Sequence, residues 1–331
     1  MELRPLGRTG TRVTEACLGA MTFGRETPED ESNAILDRYL DAGGNFIDTA
    51  NVYNRGESEE ILGRALGARR ENIVLATKCR MPMGDGPNLR GASRRVIREQ
   101  VEASLKRLQT DWIDLYQIHC WDGNSPLEET LSTLNDLVRE GKVRYIGASN
   151  YTGWQLATAL GVSKQHGWEP YISIQPQYSL VTRDIERELF PLAEYAGLAV
   201  LPWSPLGGGL LSGKYRAGEA PPDDSRAADT TPSAVLMRMR IQEERNFAVA
   251  RAVQDLAQDL GKTMAQVALN WVLHRPGVTA PILGARTVAH VDDNLGAIGW
   301  KLDADALARL EDASAIERGY PYDFIDWIHT R

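Results

Sequence analysis

Residues 113–150, IDLYQIHCWDGNSPLEETLSTLNDLVREGKVRYIGASN, decide the fold. An apolar run, 113–118, is followed by an amphipathic stretch, 127–140, then Gly141, then a second apolar run, 143–147. Both runs are short and barely alternate, as strands buried on both faces do. The stretch between them has helical spacing, and Gly141 stands where a left-handed helix cap is wanted. Strand, helix, strand in this order implies parallel pairing through a right-handed crossover.

The pattern continues in both directions. Apolar runs at 16–19, 45–48, 73–77, 172–175, 198–203 and 281–283 are each followed by a helical stretch: 29–42, 58–66, 93–108, 184–196, 242–260 and 288–298. The run at 143–147 is followed by 154–166. In VIREQVEASLKRL the apolar residues Val96, Val101, Leu105 and Leu108 recur at helical spacing between charges. Eight such units predict an α/β chain closed into a (β/α)8 TIM barrel, with an open doubly wound sheet as the alternative. The opening LRPLGRTGTRV reads as a β-hairpin turning at Arg8-Thr9-Gly10 and capping the barrel bottom. Residues 216–235, rich in Pro, Ala and Asp, read as a long functional loop. No second domain is expected within 1–331.

Composition excludes several functions. Asp and Glu outnumber Lys and Arg by 45 to 37, for a net charge of -8, so no basic face for nucleic acid is expected. The N-terminal MELRPLGRTG lacks the apolar run of a secretory signal, and no stretch approaches the ~18 apolar residues of a membrane span. Cys17, Cys79 and Cys120 are odd in number and widely spaced, which fits a reduced cytoplasmic compartment and no metal site.

In a βα barrel the chemistry collects at the C-terminal ends of the strands. The runs here end on Asp48, Lys78, His119, Ser149 and Asn150, Gln175, Trp203 and Ser204, and Gly284-Ala285-Arg286, with Tyr53 in the loop after Asp48. Singly, each has an ordinary explanation: a helix cap, a solvated lysine, a structural histidine. Helix caps, however, do not require a lysine, an imidazole and a phenol on one rim. Together these groups make a tuned acid. A free phenol has a pKa of about 10. A neighbouring ammonium favours its ionised form, and a buried lysine needs a counter-ion such as Asp48. His119 can donate a hydrogen bond to a substrate oxygen. The product is a proton donor for an oxygen gaining negative charge, as in carbonyl reduction.

No G-x-G-x-x-G follows a strand, which argues against a Rossmann-type site. The run WSPLGGGLLSGKY, 203–215, contains Gly208-x4-Gly213-Lys214, but Tyr215 stands where a P-loop needs Ser or Thr. Small residues exposing backbone N–H groups beside Lys214 still suit an anion. After the last run, ILGARTVAHVDDN (282–294) sets Arg286 and His290 at a helix start, which suits a phosphate.

These motifs together resemble the aldo-keto reductase family, in the branch holding bacterial reductases and potassium-channel β subunits. The likeness lies in LGRTG, LGAMTFG, DTANVYNRGESEEILGRAL, LATK, DLYQIH, GKVRYIGASN, IQPQYS, PWSPLGGGLLSGKY and LGARTVAHVDDN, over nearly the whole chain. The resemblance implies an NADP(H)-dependent reductase of aldehydes or ketones, small sugars among them. On this sequence it makes Tyr53 the proton donor, tuned by Asp48 and Lys78, with His119 orienting the carbonyl. It gives the nicotinamide carboxamide to Ser149, Asn150 and Gln175. Trp203, which alone reads as core packing, stacks on the ring. Ser204, Pro205, Leu206, Gly208, Lys214 and Arg226 take the pyrophosphate. Gly284, Arg286, His290, Asp293 and Asn294 take the adenosine end. Many members carry Lys-Ser where this chain has Gly284-Ala285-Arg286, so NADP preference rests on Arg286 with His290. Met21, Tyr53, His119, Trp121 and the 216–235 loop line the substrate pocket. The expected partner is a small carbonyl compound, with room for a homo-oligomer. Two other readings stay open: a regulatory NADP-binding subunit, and a lyase or isomerase using Lys78 as a Schiff-base amine.

Overall fold

The computed structural model describes residues 1–222, 225–228 and 232–330, without the side chains of 226, 232–234, 236 and 237. They form two compact units. The first comprises Met1–Pro176, Leu192–Trp203 and Gly277–Asp292; the second comprises Gln177–Pro191, Ser204–Pro276 and Asp293–Arg331.

The first unit holds all ten strands. β1 (Leu3–Pro5) and β2 (Arg12–Thr14) pair antiparallel as the expected hairpin. The rest are β3 (Cys17–Gly19), β4 (Phe46–Asp48), β5 (Val74–Cys79), β6 (Ile113–Ile118), β7 (Val143–Ser149), β8 (Tyr171–Gln175), β9 (Ala199–Val200) and β10 (Ile282–Gly284). These eight form one parallel sheet in the order β10-β3-β4-β5-β6-β7-β8-β9. Its two ends meet: Val200 bridges Val278, Thr279 N–H donates to Val200 O at 2.9 Å, and Ile282 N–H donates to Pro202 O at 2.8 Å. The sheet is therefore a closed (β/α)8 barrel.

The hairpin plugs one end. Leu6 and Val13 are buried among Cys17, Phe46, Ala76, Leu115, Ala199 and Ala280. Phe46 opens β4 and Ala199 opens β9, so this is the N-terminal end of the barrel. The turn depends on Gly7, at φ +60, where an added Cβ would stand 2.5 Å from Ile172 O. No other residue fits so close an approach.

Local chemistry explains the helices that were expected. Ser93 caps helix Arg94–Leu108, whose Val96, Ile97, Val101, Leu105 and Leu108 are buried. Each such side chain stabilises by about 1.5–3 kcal/mol when fully buried.

Some boundaries differ from the sequence reading. β5 runs on to Cys79, so Lys78 lies inside the strand. The run 198–203 yields only the two-residue β9, because Pro202 has no N–H for a ladder. The stretch 184–196 divides into a 3-10 turn, Asp184–Glu186, and a helix, Leu189–Ala196. The 216–235 stretch is not all loop: a 3-10 turn spans Arg226–Ala228, and a helix, Pro232–Ile241, begins inside it. Three further helices were not anticipated: Met264–Leu273, Ala304–Ser314 and Tyr322–His329.

In the second unit, Trp271 of helix Met264–Leu273 is fully buried. The guanidinium carbons of Arg183 and Arg275 lie 5.2 and 4.8 Å from its ring centroid. Glu311 joins them, accepting from Arg183 and Arg275 at 2.6 Å each and from the Trp271 indole at 3.0 Å. Glu186 accepts from Arg183 at 2.9 Å and from Tyr178 at 2.5 Å. Among the described residues no helix is long and apolar enough to cross a membrane.

Candidate active site

Parallel pairing brings the strand ends of the first unit together. Asp48 ends β4 in register with Ala76, and Lys78 of β5 is in register with Gln117 of β6. Asp48 is buried and Lys78 has 0% exposure. An ammonium so placed must use its three N–H groups. Lys78 Nζ donates to Asp48 Oδ1, to Thr49 O at 2.8 Å and to Tyr53 Oη at 3.3 Å. Burial is the largest single influence and works against its charge, but Asp48 and Tyr53 together outweigh it, and the pKa of Lys78 is raised.

Tyr53 is half-buried and opens a 3-10 turn, Tyr53–Gly56. Asn54 and Arg55 both have left-handed backbones there, at φ 50 and 56. Such conformations persist only when the surroundings hold them. The Asn54 side chain donates to Phe23 O. Gly56, at φ +102, leaves room for Arg107, whose Cδ would stand 2.7 Å from an added Cβ. Arg107 in turn pairs with buried Glu59 at 2.7 Å, and Thr77 donates to the same carboxylate at 2.6 Å.

His119 follows β6, its N–H bonded to Cys79 O at 3.0 Å. Its ring meets the Tyr53 ring edge-on, with centroids 5.8 Å apart at 86°. Burial first, then the positive charges of Lys78 and Arg80, push its pKa down to about 3. The imidazole is therefore neutral near pH 7. Its Nδ1 is buried without a partner, so no neighbouring residue dictates the tautomer.

The remaining rim residues of this unit cluster too. Ser149 Oγ donates to Gln175 O at 2.9 Å. Asn150, left-handed at φ 55, donates to His119 O at 2.9 Å and accepts from the Trp203 indole at 3.1 Å. Trp203 is half-exposed, not core packing. Gln175 Nε2 donates to Asp48 Oδ2 at 2.8 Å. Gln117, which the sequence reading passed over, donates to the same oxygen at 3.1 Å. Its signal was a wholly buried polar side chain one residue from the end of an apolar strand. Trp121 packs edge-on against Tyr151 (5.2 Å) and Trp154 (5.6 Å); Trp154 is 61% and Met21 39% exposed.

At the other expected cofactor positions of this unit, Gly284 ends β10 and Arg286 is half-buried. Arg286 N–H donates to His290 Nδ1 at 3.4 Å. The N–H of Val288, the first residue of helix Val288–Leu295, is already taken by Glu31 Oε1 at 2.8 Å. One position expected to face a phosphate thus holds a carboxylate of the protein.

In the second unit, Ser204 Oγ accepts from Gly208 N–H at 2.9 Å and closes the start of a tight turn. Gly207, Gly208 and Gly209 all have positive φ, and Pro205 is buried while Leu206 is half-buried. Lys214 folds back on this turn, its Nζ 2.8 Å from where a Cβ on Gly209 would lie. Asp293 accepts from Thr263 at 2.8 Å and from Gln266 at 2.9 Å, the residues that form the capping box of helix Met264–Leu273. Asn294 is buried. The expectation for the Arg226 side chain lies outside the described residues.

The profile of the Aldo/keto reductase family matches residues 15–315. The chain is 43% identical to an uncharacterized oxidoreductase of Bacillus subtilis, YrpG, over 94% of this chain and 95% of that one. It is 33% identical to norsolorinic acid reductase of Aspergillus flavus, covering 96% and 81%. It is 37% identical to a probable voltage-gated potassium channel subunit beta of Arabidopsis thaliana, covering 90% and 91%.

Proposed function

The chain belongs to the aldo/keto reductase family, and on that premise we propose that it reduces an aldehyde or ketone to an alcohol with NADPH, taking the proton from Tyr53. One observation carries this reading: the Lys78 ammonium touches the Tyr53 hydroxyl at 3.3 Å while Asp48 keeps it charged. Tyr53 Oη gives its proton to the carbonyl oxygen. Lys78 stabilises the phenolate left behind, and Asp48 prevents Lys78 from losing its charge to burial. Neutral His119 donates a hydrogen bond that orients the carbonyl. General acid catalysis of this kind contributes about 10²–10⁴-fold.

A nicotinamide cofactor, when bound, supplies the hydride. The residues present suit one. Glycines 207–209 all have positive φ, and Lys214, packed against Gly209, adds a positive charge for a diphosphate. Trp203 offers a half-exposed ring for stacking. Ser149, Asn150 and Gln175 would hold the carboxamide, Gln175 through Oε1 because its N–H groups are engaged. Arg286 with His290 would take the 2′-phosphate, and Gly284, Asp293 and Asn294 the adenosine. Met21 and Trp121 would line the substrate pocket. The free cysteines Cys17, Cys79 and Cys120 support a cytoplasmic location.

The test is NADPH oxidation with a panel of aldehydes and ketones, including norsolorinic acid, after the name of the Aspergillus flavus relative, beside an NADH control. Turnover should fall at least about a hundredfold in Tyr53→Phe, with NADPH binding unchanged by fluorescence titration. Arg286→Ala should weaken NADPH more than NADH. The likeness to channel β subunits supports a second reading, a cofactor-binding subunit without turnover. NADPH binding with no substrate reduced by wild type would favour it.

A further inference from the structure

Asp48 has two unlike oxygens. Oδ1 holds the Lys78 cation. Oδ2 receives amide N–H groups instead, from Gln117 at 3.1 Å and Gln175 at 2.8 Å. The Gln175 amide also donates to Gln117 Oε1 at 3.2 Å. Asp48, Gln117 and Gln175 thus close a ring of hydrogen bonds, and all three are buried. The ring fixes which way both amides face. Turned over, either would aim a carbonyl at a carboxylate. A buried carboxylate oxygen left without donors is costly, and charge-assisted bonds are the strong ones.

We propose that Gln117 is a positioning residue for proton transfer. By donating to Asp48 Oδ2 and accepting from Gln175, it holds the carboxylate that keeps Lys78 against Tyr53. It also ties Gln175, a residue assigned to the nicotinamide, to that same carboxylate. The inference rests on the reductase reading above. The bland alternative is an amide that merely fills space in the barrel. The titratable groups around the ring are Cys17 of β3, Asp48 of β4, Lys78 of β5, Tyr53 in the turn beyond β4 and His119 after β6. Burial, then the charge of Asp48, keeps Cys17 a thiol.

Wild type, Gln117→Met and Gln117→Glu are compared for turnover against pH, carbonyl KM, NADPH binding and thermal melting. Gln117→Met keeps the bulk and removes the donor. Its kcat should fall about tenfold to a hundredfold, the range of a lost charge-assisted bond. Its carbonyl KM should change little. The acid limb of its profile should move to higher pH, because Oδ2 then accepts a proton more readily. Gln117→Glu can donate an O–H to Oδ2 when protonated, as the amide does. It should outperform Gln117→Met at low pH and fall below it as the new carboxyl ionises. A Gln117→Met enzyme with wild-type kcat and profile overturns the proposal, and so does a Gln117→Glu enzyme that never exceeds it. Should Gln117→Met fail to fold, Gln117→Asn, which withdraws the amide by one methylene, takes its place under the same criteria. A wild type that reduces no carbonyl would sink the reductase reading itself. An active wild type with indifferent Gln117 variants sinks only this inference.

Discussion

Two of the charge clusters in this protein, one in each unit, are built to different ends. The Arg183, Glu186, Arg275 and Glu311 group of the second unit is balanced: two cations, two anions, and bonds that close on one another around Trp271. The Asp48–Lys78 pair of the first unit is balanced too, but the last N–H of Lys78 points to a phenol. One network returns its charge to itself. The other delivers it to the hydroxyl of a half-buried tyrosine. Burial of ions alone does not mark an active site; where the final hydrogen bond goes does.

The sharpest way to break this contrast is to remove one ion from each cluster. Lys78→Met should abolish carbonyl turnover by about 10³-fold or more. It should also lower stability by roughly 3–5 kcal/mol, because Asp48 is left buried and unpaired. Activity assays beside urea unfolding check both effects. A folded Lys78→Met enzyme with normal turnover would erase the distinction. Glu311→Gln should act on stability alone, by about 1–3 kcal/mol from weakened charge-assisted bonds. That corresponds to a fall of roughly 1–4 °C in Tm for a chain of this size. Its kcat and KM should stay at wild-type values.

The smallest effect concerns pH. His119 has its pKa pushed down to about 3, against about 6.5 in the unfolded chain. The unfolded state therefore binds more protons between these values. Stability should fall as pH drops from about 6.5 towards 3, at up to about 1.4 kcal/mol per pH unit from this group. Urea midpoints at pH 7 and pH 5 should differ less in His119→Asn than in wild type. A pH dependence that is the same in both proteins would mean that His119 charges freely in the native state.

The first cluster was largely legible in the sequence and the second was not, for a physical reason. Asp48, Tyr53, Lys78 and His119 stand at or near the ends of strands, and the βα alternation places strand ends on one rim. Gln117 was missed because its role depends on Asp48 and Gln175, 69 and 58 positions away, although a glutamine inside an apolar strand was a visible signal. Arg183 and Glu311 are 128 positions apart, and no periodicity links them. Helix Met264–Leu273 was legible in principle. Thr263 and Gln266 spell a capping box, but the near-continuous apolar run behind it carries little amphipathic signal. The role of Glu31 at Val288 was likewise invisible, since it joins residues 257 positions apart.

The hairpin plug has a consequence for how the chain is made. Arg4 donates to Val278 O at 3.2 Å and Thr279 O at 3.1 Å, and Leu6 packs against Ala280. Arg4 therefore emerges from the ribosome long before its partners, which lie 274 and 275 positions later. Contacts of such sequence separation form slowly. A nascent chain must carry the hairpin without them until they emerge, an interval in which exposed apolar surface favours aggregation.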